Sequence, residues 1–386
     1  MADVRWLLII AFILVGSEEL IYRRLSLWRV SYRRYFAQPV IRAGESVEMV
    51  EVIENRKFLP VPRVVLEAAF DASMHFRAET DAFLNRSDKF LTSRSIFSLS
   101  PYTRITRRHQ IRCDRRGIYK LNSAAITAGG VFGGSVFKHW ECTGPDTELM
   151  VYPQLVPNED LLLSSLSLQG DAIVRRFVSP DPFMRQGARP YQFGDSLNQV
   201  NWKVTARTGS LHVHLQEFTT DYYVKVLLNF VIDEGMWQQI SEPVRIEAGI
   251  SLAATLADEL IAAGLAVGFY CNGVHSDEYT EGLQPENGPH QLADLWSHLA
   301  GLQLKVRCDF NALLRSEAEL AIRKTDFVLI TGYVDEEMRD IIQSLEDEGH
   351  SVSIISLPSE AQASAWLNWD DHPEVKEAHA HGEKPT

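Results

Sequence analysis

The sequence predicts a short apolar N-terminal helix, then an all-β domain, then an α/β domain on a mostly parallel open sheet with helices on both faces. Three observations predict it. Residues 6–16 (WLLIIAFILVG) carry no charge. Short alternating runs between turn residues follow to about 153, and from about 220 to 358 apolar runs alternate with helical periodicity. A chain of 386 residues suits two or three domains.

The apolar stretch is short for a bilayer span, which needs roughly 20 apolar residues, because Glu18 and Glu19 follow it. A secretory signal peptide fits the length but not the flanks. Nothing after Gly16 has a small-x-small cleavage pattern. One Arg precedes the stretch, whereas Arg23, Arg24, Arg29, Arg33, Arg34 and Arg42 follow before Glu45. Basic residues are retained on the cytoplasmic side, so the expectation is an inner-membrane anchor with the body in the cytoplasm. Leu20–Phe36 mixes Leu, Trp and Tyr with Arg and predicts an interfacial helix. Residues 1–37 are thus read as the anchor, with lipid contact through 6–36.

Residues 38–153 read as a β-sandwich. The run 46–54 (SVEMVEVIE) places Val47, Met49 and Val52 inward, with Glu48 and Glu54 toward water. Further strands are expected at Val64–Ala68, Lys89–Ser98, Thr103–Arg112, Gly117–Leu121 and Ala124–Thr127. The stretch 129–134 (GGVFGG) lacks the Lys-Ser/Thr of a phosphate loop and reads as a turn. Cys113, Cys142, Cys271 and Cys308 form no CxxC and read as reduced, buried thiols, although Cys113 and Cys142 could pair in an oxidising compartment.

In the α/β domain, Tyr222–Ile232 is a near-continuous apolar run, suited to a strand buried on both faces. Strands are also expected at Leu265–Cys271, Asp326–Thr331 and Val352–Leu357. Helices are expected over Pro243–Gly264, Gln291–Leu302, Ala312–Arg323 and Asp335–Glu348. Ligands in such sheets sit at the carboxyl ends of the strands, here Asp233-Glu234-Gly235, Asn272-Gly273 and Thr331-Gly332. These could offer a hard cation few oxygens.

The connector, 154–219, carries Arg189, Tyr191, Gly194, Asp195, Asn201, Trp202, Ala206 and Arg207 in the pattern R-x-Y-x-x-G-D…W…A-R. This motif resembles the signature of the domain of unknown function 58 family. Arg116-Gly117-Ile118-Tyr119 and Met150-Val151-Tyr152-Pro153 resemble two further family features. The resemblance implies a membrane anchor, a sandwich-like region, and a von Willebrand A-like (Rossmann-like) domain after the motif. It implies no enzymatic activity, and a MoxR-type AAA+ ATPase as partner. The family's Arg after Gly-Asp is Asn198 here. Metal-binding von Willebrand A domains use D-x-S-x-S, whereas this chain has Asp233, Gly235 and Trp237. The metal site is therefore read as degenerate, with no metal and no cofactor. Within the motif, Asp195 could accept a bond from Arg189 or Arg207, with Trp202 covering the Arg stems or the sheet beneath. The cluster either locks the fold or presents a surface to a partner.

Catalysis finds little support. His212 and His214 alternate on a predicted strand and could bind metal near Glu217, but no G-x-S-x-G, H-E-x-x-H or Cys–His arrangement occurs. Residues 1–150 hold 22 basic and 16 acidic side chains, the remainder 16 and 35. The acidic C-terminal part would repel phosphate backbones, which excludes nucleic acid there. The tail, 359–386, is polar, with Trp366, Trp369, His379 and His381, and reads as disordered. The expected function is a membrane-anchored scaffold working with the ATPase in assembly or maturation of a protein complex. A magnesium-type von Willebrand A adhesion module is the alternative, and a hydrolase is the weaker one.

Overall fold

The computed structural model describes residues 2–71, 73–76, 83–86, 90–121, 123–130, 135–142, 144–156, 185–191, 200–216, 223–234, 240–276, 282–321 and 325–367. They fall into two compact units, Met1–Pro153 and Gln154–Thr386.

The first unit opens with helix α1 (Ala2–Leu25). Its strands are β1 (Val30–Phe36), β2 (Val40–Arg42), β3 (Ser46–Asn55), β4 (Val61–Asp71), β5 (Met74–Phe76), β6 (Phe83–Arg86), β7 (Phe90–Leu99), β8 (Arg104–Cys113), β9 (Gly117–Lys120), β10 (Ser123–Gly129), β11 (Ser135–Glu141) and β12 (Glu148–Tyr152). They form sheets ordered β1-β3-β8-β5, β11-β10-β4-β7-β6 and β2-β12-β9. Alternate side chains of the first two sheets meet in one core, including Val47, Met49, Ile53, Val64, Leu66, Ile111 and Ile126. Period-2 alternation is therefore what closes the sandwich.

Three expectations change here. The interfacial helix over Leu20–Phe36 stops at Leu25, and Val30–Phe36 is a strand paired antiparallel with β3. Tyr32, Arg34 and Phe36 alternate inward on it, so strand pairing and burial take the Arg-rich segment away from a helical course. In β3, Glu51 shares the inward set with Val47 and Met49, while Val52 falls on the opposite face beside Arg33 and Thr106. Finally, no helix among the described residues is long and apolar enough to cross a membrane. Arg5, Glu18 and Glu19 lie too close to the apolar run of α1.

The second unit begins with β13 (Arg185–Pro190), α2 (Trp202–Thr208) and β14 (His212–Gln216), then β15 (Tyr223–Leu228), α3 (Pro243–Ala262), β16 (Ala266–Cys271), β17 (Gly273–His275) and β18 (Leu283–Glu286). It continues with α4 (Pro289–Gly301), β19 (Leu302–Val306), α5 (Phe310–Glu319), β20 (Thr325–Thr331), α6 (Glu336–Asp347), β21 (Ser351–Ser356) and α7 (Glu360–Leu367). The main sheet runs β18-β16-β15-β20-β21, parallel except for the edge strand β18. Val224, Val226 and Leu228 meet one layer of helical side chains from α3 and α4, and Leu227 meets those of α5 and α6 on the other face. Helices thus cover both faces, as the unbroken apolar strands require. Residues 360–367 form a helix rather than disordered tail, because Ala363 is buried and α7 packs against α3. Trp369, His379 and His381 lie outside the described residues.

Candidate functional site

The parallel strands begin at β15, go to β16 on one side and return to β20 on the other. The crevice at their carboxyl ends, between β15 and β20, is where such sheets hold ligands. Buried Asn229 closes β15, and its Nδ2 donates to Thr331 Oγ1 at 3.2 Å. Its Oδ1 accepts from Val231 N at 3.0 Å and from Asn272 Nδ2 at 3.1 Å. Asn272 Oδ1 accepts from Phe230 N at 2.8 Å, and Thr331 Oγ1 donates to Tyr333 O at 2.9 Å. A Cβ at Gly332 would lie 2.7 Å from Ile232 O, so backbone packs against backbone there. The amide and hydroxyl oxygens at this edge are consumed within the fold. Asp233 and Glu234 are exposed, while Gly235 and Trp237 lie outside the described residues. Among the described residues no group of three His, Cys, Asp or Glu side chains is placed to hold a metal ion.

The signature segment forms a hairpin with a helix inserted. Strands β13 and β14 pair with Arg189 opposite Val213, and Val200 also bridges Val213. Tyr191 N donates to Leu211 O at 2.9 Å, which closes the hairpin at the motif tyrosine. Asn201 caps α2, its side chain accepting from Val204 N at 3.1 Å, and Gly209 ends it in the left-handed region at φ 72°. That geometry explains the motif Asn at the first of these positions and a Gly at the second. Thr205 Oγ1 accepts from His212 N at 3.0 Å and ties α2 to β14.

Trp202 is 68% exposed, and no residue of α2 is buried. The expected packing of Trp202 on a sheet beneath is not seen: its ring is mostly exposed, at the first position of a helix tied to β14 through Thr205. Ala206 and Arg207 are also exposed. Gly194 and Asp195 lie outside the described residues, as does the side chain of Arg189. His212 binds locally through Nδ1, 2.8 Å from Ser210 O and 3.2 Å from Thr208 Oγ1. The side chain of His214 and all of Glu217 lie outside the description.

Other polar groups went unread in the sequence. Lys225, inside the apolar run of β15, is buried with Nζ 2.7 Å from Glu317 Oε2 and 3.1 Å from Glu317 O. In the sandwich, Glu51 accepts from Tyr32 Oη at 2.9 Å and lies 3.2 Å from His109 Nε2. Burial pushes the Glu51 carboxyl up, but His109, the Tyr32 hydroxyl and the Arg34 charge outweigh it and hold the group below its ordinary value. His298 stacks on His275 at 4.6 Å between ring centroids, and burial, with His275 adding, pushes it down to about 4. A charged residue flanked by apolar ones within a strand's apolar run is the sequence signal that marks Lys225 and Glu51. The four cysteines are free. Burial pushes the Cys113 thiol up to about 12, which makes it unreactive.

Residues 187–364 match the family model described as Protein of unknown function DUF58. The match starts at the hairpin, runs through the doubly covered sheet into α7, and supports the family resemblance carried by the motif. No curated protein matches the chain. Among solved structures, the chain is similar to a cohesin module from a Clostridium perfringens ATCC13124 family 33 glycoside hydrolase, at 9% identity and TM-score 0.21, covering 31% of this chain and 96% of that one. It is also similar to a non-cellulosomal cohesin from the archaeon Archaeoglobus fulgidus, at 11% identity and TM-score 0.21, covering 30% and 92%. A third is the sporulation control protein Spo0M of Bacillus subtilis, at 11% identity and TM-score 0.18, covering 32% and 49%. At these scores the likenesses support no functional conclusion.

Proposed function

We propose that this protein is a membrane-attached, non-catalytic scaffold that docks a protein partner through α2 and its hairpin. The partner class is a MoxR-type AAA+ ATPase, and the process is assembly or maturation of a protein complex. One observation carries the reading: the signature helix displays Trp202, Ala206 and Arg207 to solvent instead of using them as packing. Exposed Trp and Arg on a rigid platform are the side chains that most often dominate binding energy at interfaces. Attachment to the cytoplasmic face of the inner membrane is supported by α1. Its apolar side chains, from Ile9 through Val15, are exposed on all sides of the helix, which suits lipid rather than water. A magnesium-dependent adhesion site fits less well, because Asn229, Asn272 and Thr331 satisfy one another at the edge where the ion would sit.

The test is co-purification from native membranes, with and without ATP, of wild type and Trp202→Ala. The expected outcome is ATP-dependent recovery of an AAA+ ATPase with wild type and at least about a tenfold loss with the variant, at unchanged melting temperature. Full recovery with the variant would remove the docking role of α2.

A further inference from the structure

Three loops meet at the end of the sandwich where α1 enters it, and each displays an aromatic side chain. Trp28, Phe58 and Tyr102 are 53%, 79% and 71% exposed. Rings this large, left mostly open to water, are apolar area that a partner surface would gain by covering.

The loops are bound to one another, so the display is fixed by the fold. Asn55 Nδ2 donates to Leu59 O at 3.1 Å and to Ser100 O at 2.9 Å. Lys57 is buried, with its Nζ donating to Ser26 O at 2.7 Å and to Asn55 Oδ1 at 3.0 Å. Arg56 N donates to Arg29 O at 3.0 Å, and Tyr102 N donates to Lys57 O at 3.3 Å.

Two backbone strains fall at this same place. Arg29 and Tyr102, at φ 52° and 51°, are the non-glycine residues with positive φ among those described. Such a conformation is unfavourable for a residue with a side chain and persists only where surroundings impose it. Both strained residues turn their side chains outward, Tyr102 beside Phe58's loop and Arg29 over the Trp28 ring at 4.5 Å. Arg23 and Arg24 in the last turn of α1 are exposed, as are Arg29 and Arg56, the last paired with Glu54 at 2.7 Å.

The composition and connection together identify the occupant. Rings with an apolar body, interleaved with arginines, partition to headgroup depth. Excess positive charge near the surface favours an anionic leaflet. The lipid-suited helix ends at Leu25, three residues before Trp28. We propose that Trp28, Phe58 and Tyr102, with Arg29 and Arg56, form a three-loop tip that seats the sandwich in the headgroup layer of an anionic bilayer. The proposal rests on the reading of α1 as a membrane anchor and adds a second, rigid lipid contact.

The experiment uses the full chain in phosphatidylcholine vesicles containing phosphatidylglycerol, with bromine quenchers placed either near the headgroups or near the methyl ends of the acyl chains. Wild type minus Trp28→Phe reports the tip, and wild type minus Trp6→Phe reports α1. Both tryptophans are expected to be quenched, Trp28 more strongly by the shallow bromines. Arg29→Glu with Arg56→Glu is expected to cut Trp28 quenching by about twofold or more while Trp6 quenching stays. Quenched Trp6 with unquenched Trp28 overturns the tip and leaves the anchor standing, as would happen if the tip served a protein partner. Absence of quenching at both positions overturns the anchor and the tip together.

Discussion

Lys225 stands in a strand whose neighbours are Val224 and Val226, and its charge is paired with Glu317. Removing one member leaves the other buried and uncompensated. Lys225→Met is expected to cost about 3–5 kcal/mol in denaturant unfolding, whereas Lys225→Met with Glu317→Leu is expected to return close to wild type. A double mutant as unstable as the single one would show that Lys225 acts instead through the Tyr270 and Phe327 rings, whose centroids lie 5.3 and 5.9 Å from its Nζ. His298 gives a pH window. Its folded value of about 4 lies below the usual 6.5, so the unfolded chain takes up the proton first as pH falls. Stability is full above pH 6.5 and drains away between there and pH 4, by about 3 kcal/mol in all. His298→Phe is expected to flatten that slope in melts across the range, and a slope unchanged in the variant would assign the loss to other groups. Neither residue was legible in the sequence as a titrating centre. Lys225 vanishes into the apolar average of its strand, and His298 becomes special only because folding buries it, against His275.

At the scale of elements, periodicity was enough for most of the α/β unit. The expected strands at Leu265–Cys271, Asp326–Thr331 and Val352–Leu357 lie within a residue of β16, β20 and β21, and the helix expected from Pro243 is α3. Apolar runs bounded by Gly and charge leave little freedom there. The segment after α1 was less legible, since Leu, Trp, Tyr and Arg in mixture fit both an interfacial helix and β1. The tie is broken by pairing with β3, a partner distant in sequence. Nor does the motif itself announce that α2 leaves Trp202 exposed, because exposure depends on what packs beneath. Cap energetics supply a check on α2. Asn201→Ala is expected to cost about 1 kcal/mol and Asn201→Asp close to nothing, measured by melting temperature and amide exchange in 202–208. At the carboxyl edge, millimolar magnesium is expected to raise the melting temperature by less than about 1 °C. A clear upward shift, lost in Asp233→Asn, would restore the ion site that the Asn229 network argues against.

Taken as a whole, the chain divides its charge along its length, with a basic excess in residues 1–150 and an acidic excess beyond. A negative bilayer surface would draw the first part and repel the second. Vesicle flotation at rising ionic strength separates the contributions, because the Debye length falls to about 3 Å at 1 M salt. Retention through α1 is expected to persist there, while the arginine-dependent part measured with Arg29→Glu and Arg56→Glu disappears.

The border strand β18 has a consequence for how copies of the protein can meet. It is short, runs against its neighbour and carries Pro285, and a Cβ at Gly268 would lie only 2.7 Å from Leu283 O. Proline offers no amide hydrogen to an incoming chain. That flank of the sheet is therefore a poor template for strand-by-strand polymerisation.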